Sequence, residues 1–132
     1  MKFVESRLLG IKISETGDTL LLSIVEVGGA SFTVNLAGVE KLVISEFRQQ
    51  NIIEDMTHWK QGSTDPSARE ATFYLMTGGP EETCDPNLVN VVNAVVKRIE
   101  SGDIELMEIT AIFGAQIIAL FASLTIQPKR AI

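Results

Sequence analysis

The stretch Ile104 to Gln127, IELMEITAIFGAQIIALFASLTIQ, is the most apolar part of the chain, and any fold must be built around burying it. No charge falls between Glu108 and Lys129, and the eighteen residues from Ile109 to Ile126 reach the lower edge of what a membrane-spanning helix needs. As a helix, the run gathers Ile109, Ile112, Phe113, Ile117, Leu120, Phe121 and Leu124 on one face. As strands, it breaks at Gly114 into Glu105 to Phe113 and Gln116 to Gln127, joined by a tight turn. Isoleucine is its commonest residue, Thr110 and Thr125 add β-branching, and Gly114 and Gln116 stand where a spanning helix wants apolar bulk. A C-terminal β-hairpin over about 104–127 is therefore expected, in preference to a buried helix or a tail anchor. Strands apolar on both faces belong in the middle of a sheet covered on both sides.

The remainder of the chain must supply that cover. Its 132 residues are expected to form one domain, 1–132, that buries about two thirds of its unfolded surface. With 45% hydrophobic and 21% charged residues, it has enough apolar surface to fold unaided. Seventeen acids against eleven bases leave a net charge of −6, which opposes nonspecific contact with nucleic acid or an anionic membrane and favours basic partners. A single cysteine, Cys84, allows no internal disulfide and no zinc site built on several thiolates. The opening MKFVESRLLG carries charge at Lys2, Glu5 and Arg7 where a signal peptide has its apolar core, so a cytoplasmic location is expected.

In the first half, alternation predicts an antiparallel meander. Leu9, Ile11 and Ile13 alternate with Gly10, Lys12 and Ser14, a turn follows at Glu15 to Asp18, and Thr19 to Val27 returns. Gly28 and Gly29 turn the chain again into Ser31 to Leu36. Strand is favoured around Val39 to Ser45, and Ile52 to Trp59 reads as another. Gln61 to Arg69 reads as an exposed loop, and the alternation of Phe73 and Leu75 with Thr72 and Tyr74 predicts a strand over Ala71 to Met76. One helix, about 86–101, has strong signals. Asp85 stands before Pro86 as an N-cap, Leu88, Val91, Val92, Val95, Val96 and Ile99 form an apolar stripe, and Gly102 ends it. These elements make an α+β fold: a mainly antiparallel sheet of about seven or eight strands with one amphipathic helix packed on it.

No phosphate-binding glycine loop is present, because Gly28 and Gly29 lead into a strand and Gly78 and Gly79 into Pro80. One histidine and one cysteine leave any zinc site short of ligands. No cofactor, metal site or catalytic residue is expected. His58 has Glu54 and Asp55 nearby in sequence, and a small hydrolase using that base with a carboxylate is the enzymatic alternative. Cys84 is surrounded by Glu81, Glu82 and Asp85, which raise a thiol pKa. Those three acids, with Glu54, Asp55, His58 and Trp59, are either solvated surface around a core tryptophan or a partner-binding surface on which carboxylates steer and an aromatic anchors. A second string, Glu100, Asp103, Glu105 and Glu108, lies at the helix end and the hairpin start and fits equally an exposed edge protected from aggregation.

The segments ISETGDTLLLSI, FTVNLAGVEKLVI, NIIEDM and ITAIFGAQIIALFASLTI together resemble small bacterial domains, among them immunity proteins of polymorphic or contact-dependent toxin systems. That resemblance rests on a texture of apolar positions over most of the chain and assigns no residue a role. It implies a small acidic cytoplasmic protein without catalysis that neutralises a toxin domain, here a basic one, by stoichiometric binding. No nucleic-acid or membrane partner is expected. A homo-oligomer that buries the apolar hairpin between subunits is a third expectation.

Overall fold

The computed structural model describes residues 3–63 and 65–129; Lys2 and Thr64, the latter within the expected loop, lie outside them. Eight strands occur among the described residues: β1 (Arg7–Ile13), β2 (Thr19–Val25), β3 (Ser31–Ala37), β4 (Lys41–Ser45), β5 (Ile52–Trp59), β6 (Glu105–Phe113), β7 (Gln116–Phe121) and β8 (Ser123–Pro128). Helices α1 (Pro66–Thr77) and α2 (Pro86–Ser101) fall between β5 and β6. The α+β class, the largely antiparallel sheet, the 86–101 helix and the C-terminal hairpin are as the sequence predicts. No helix among the described residues is long and apolar enough to cross a membrane.

The strands form one sheet in the order β4-β7-β6-β5-β1-β2-β3-β8, with antiparallel neighbours throughout. Its two ends are covalently close, because β3 runs into β4 and β7 into β8. The Ala122 N–H donates to the Ala37 carbonyl at 2.9 Å, and the Glu40 N–H to the Leu120 carbonyl at 2.8 Å, so bonding continues around this corner and rolls the sheet up. The expected strand Gln116 to Gln127 is thus two strands that bend at Ala122. Gly38 allows the bend: its φ is +66°, and a Cβ there would lie 2.7 Å from the Ala122 Cβ.

Two apolar layers result. Inside the rolled sheet, Leu20, Leu22, Val34, Leu36, Met107, Ile109, Ile117 and Phe121 form one core. Between the sheet and the helices, Trp59, Ala68, Ala71, Leu75, Val95, Ile99, Leu106 and Leu120 form another. Alternate residues of β6 and β7 enter each, which is why the run from Ile104 is apolar on both faces. Gly114, at φ +91°, makes the expected turn between them. β2 by contrast alternates buried and half-buried positions, as a strand covered on one side does.

The residues Ala71 to Met76 are helix, not strand. Asp65 caps α1 by accepting from the Ser67 N–H at 2.9 Å, Pro66 occupies the first turn, and Ala68, Ala71, Thr72 and Leu75 are buried at helical spacing. The Thr72 hydroxyl, which looked like a wet strand position, donates to the Ala68 carbonyl inside the helix. Helix α2 keeps its expected ends at Asp85 and Gly102, but only part of its stripe is covered: Val92, Val95 and Ile99 are buried, whereas Leu88 and Val91 are 39% and 43% exposed. The acidic string is not an edge either. β6 lies between β5 and β7, Asp103 pairs with Arg98, and Glu105 pairs with His58.

Candidate functional site

The two helices and the loop between them build a cleft rimmed by acidic side chains. Arg69 on α1 lies over the Phe73 ring, 5.0 Å from its centroid, and donates to Glu81 Oε2 at 3.0 Å and to Asn93 Oδ1 on α2. This one guanidinium ties α1, the connecting loop and α2 together. A cleft of about 330 Å3 is left beside it, walled by Pro66, Phe73 and Pro80 and rimmed by Glu70, Glu81 and Glu82. Arg69 neutralises Glu81, while Glu70 and Glu82 make no ion pair among the described residues.

A half-buried acid extends this field across the sheet. Glu108 shares the helix-bearing side of β6 with Leu106, and its carboxyl is held above the usual range by burial first, then by the negative charges of Glu70 and Asp55. The charges of Asp55 on β5 and Glu70 on α1 thus both reach Glu108 on β6, and Glu70 leads into the cleft. Among the described residues, no group of three His, Cys, Asp or Glu side chains is disposed to hold a metal ion.

The sequence candidates separate into three environments. Asp55, Glu81 and Glu82 belong to this acidic side, with Glu54 exposed next to Asp55 at a bulge in β5. Asp85 is exposed but occupied as the α2 cap, accepting from the Asn87 N–H at 2.9 Å. Trp59 is 4% exposed in the core beneath the helices, so it offers a partner no surface. His58, one residue earlier on the strand, turns to the opposite face, where its Nε2 lies 2.6 Å from Glu105 Oε1 and its ring 5.8 Å from that of Phe121. His58 thus engages neither Glu54 nor Asp55.

Arg69, Glu70, Glu105 and Glu108 join the set although sequence reading singled out none of them as a site residue. Glu70 and Arg69 become visible once Asp65 and Pro66 are taken as a helix start. Glu105 lies 47 residues from His58, and only the β5–β6 register brings them together. Compared with protein-family models, with curated proteins and with solved structures, the chain finds no match.

Proposed function

We propose that this chain is a noncatalytic binding protein that holds a basic protein domain against its helix-bearing face, and that it serves as a cytoplasmic immunity protein neutralising a toxin one to one. The observation that carries the reading is the acidic field from Asp55 through Glu108 and Glu70 to Glu82, in which the guanidinium lining the cleft, Arg69, is already spent on Glu81 and Asn93. Glu70 and Glu82 stay available for a partner's Arg or Lys, and the net charge of −6 steers such a partner toward the surface. Glu108 adds a second effect. Its ionised form is disfavoured in the free protein, so a cation delivered by the partner relieves that penalty and makes binding favour higher pH.

Exposed, unpaired acids make a cleaner test than capping ones. Glu70→Lys with Glu82→Lys should weaken capture of the partner at least tenfold, chiefly through a slower on-rate, with an unchanged melt. Asp85→Lys would also remove a helix cap, at a cost of about 1 kcal/mol, and so confound binding with folding. Equal capture by the double variant would remove the surface from consideration. The hydrolase alternative has the His58–Glu105 pair in its favour, yet His58 does not line the clefts around Phe73, Val96, Gln49 or Gly114.

A further inference from the structure

At the end of the sheet away from His58, the β4–β5 loop and the β6–β7 turn meet. Phe47, Ile112 and Phe113 are 48%, 58% and 49% exposed there, large side chains that a folded monomer has every reason to cover. The loops carrying them are firmly built. Asn51, 3% exposed, accepts from the N–H groups of Arg48 and Ala115 at 2.9 Å each and donates to the Arg48 carbonyl at 2.7 Å. Little ordering entropy then remains to be lost when a partner docks.

The charges here differ from those of the helix face. Two clefts share this end, of about 360 and 240 Å3, and among their lining residues Glu46 and Arg48 are the only charged ones. They pair with each other at 2.9 Å, and the Arg48 guanidinium also lies 5.3 Å from the Phe113 ring centroid. A basic partner finds no unpaired acid among the residues that line these clefts. A second copy of the chain, by contrast, brings another six negative charges and meets least repulsion where its surface is locally neutral. One acid and one base side by side are also self-complementary about a two-fold axis, which lets Arg48 of each copy pair with Glu46 of the other.

We propose that this end is a homodimer interface, in which Phe47, Ile112 and Phe113 of two copies pack together and the Glu46–Arg48 pairs exchange across the axis. The inference is independent of the acidic surface: Glu70, Glu81 and Glu82 line neither of the clefts at this end. Sedimentation equilibrium over roughly 1 to 200 µM protein should show a mass approaching twice 14.4 kDa. Ile112→Asp with Phe47→Ser should leave a monomer throughout. Glu46→Arg alone and Arg48→Glu alone should each weaken dimerisation about tenfold, and the two together should restore it, a readout that does not depend on the apolar variant folding well. A wild-type monomer across the range, or a dimer indifferent to either set of substitutions, overturns the proposal.

Discussion

Asn51 Oδ1 accepts a hydrogen bond from the Ala115 N–H at 2.9 Å, joining the start of β5 to the turn that halves the most apolar run of the chain. The same amide serves the Arg48 N–H and carbonyl, so one buried side chain fixes two loops. Asn51→Ala strands two N–H groups and a carbonyl at once. The expected loss is about 2–4 kcal/mol, read as a fall in the urea midpoint. A midpoint within experimental error of the wild type would show that water replaces the amide.

The corner at Gly38 gives a backbone test. Ala at this position must adopt φ +66° and meet the Ala122 side chain, so Gly38→Ala should cost about 2–4 kcal/mol. Adding Ala122→Gly removes the clash and leaves the strained φ, so the double variant should recover part of the loss. Full recovery would mean that the backbone conformation costs nothing.

Trp59, the sole tryptophan, reports on the layer between helices and sheet. Its emission should be blue-shifted and poorly quenched by acrylamide, and Trp59→Ala should cost about 3–5 kcal/mol. Partner binding should leave that emission nearly unchanged. A large quench on binding would place Trp59 at the interface after all.

Glu108 supplies a pH signature. Its folded value is raised, so the native state holds the proton more tightly than the unfolded chain; that contribution is complete below the ordinary carboxylate range and is lost as pH rises through the folded value. Glu108→Gln should therefore match the wild type at acid pH and exceed it at neutral pH, by about 1–3 °C in Tm because solvent screens a half-exposed group. An advantage that persists undiminished at low pH would point to packing instead of charge.

Local signals made much of this fold legible. The Asp85–Pro86 start and Gly102 stop of α2, the β5 segment and the Gly114 turn are all written in a few adjacent residues. Helix α1 carries the same Asp–Pro start, but the alternation of Phe73 and Leu75 competes with it. Phe73 is buried beneath Arg69 instead of lying on a strand face, a contact that sequence spacing does not reveal. The bend at Ala122 is hidden because β-forming residues run straight through it, and the residue that permits it, Gly38, lies far away in sequence, between β3 and β4. For the site, charge and loop position point to Glu81 and Glu82, whereas the links from Asp55 through Glu108 to Glu70 depend on strand register and on helix α1.

The most direct test of the account compares capture by the wild type and by the Glu70→Lys, Glu82→Lys variant, each immobilised in extract of the source cell, with bound proteins weighed against bait. The account predicts one basic protein held near one to one by the wild type, released by added salt, and depleted at least tenfold on the variant. The same protein retained equally by both, or no basic protein retained by either, would contradict it.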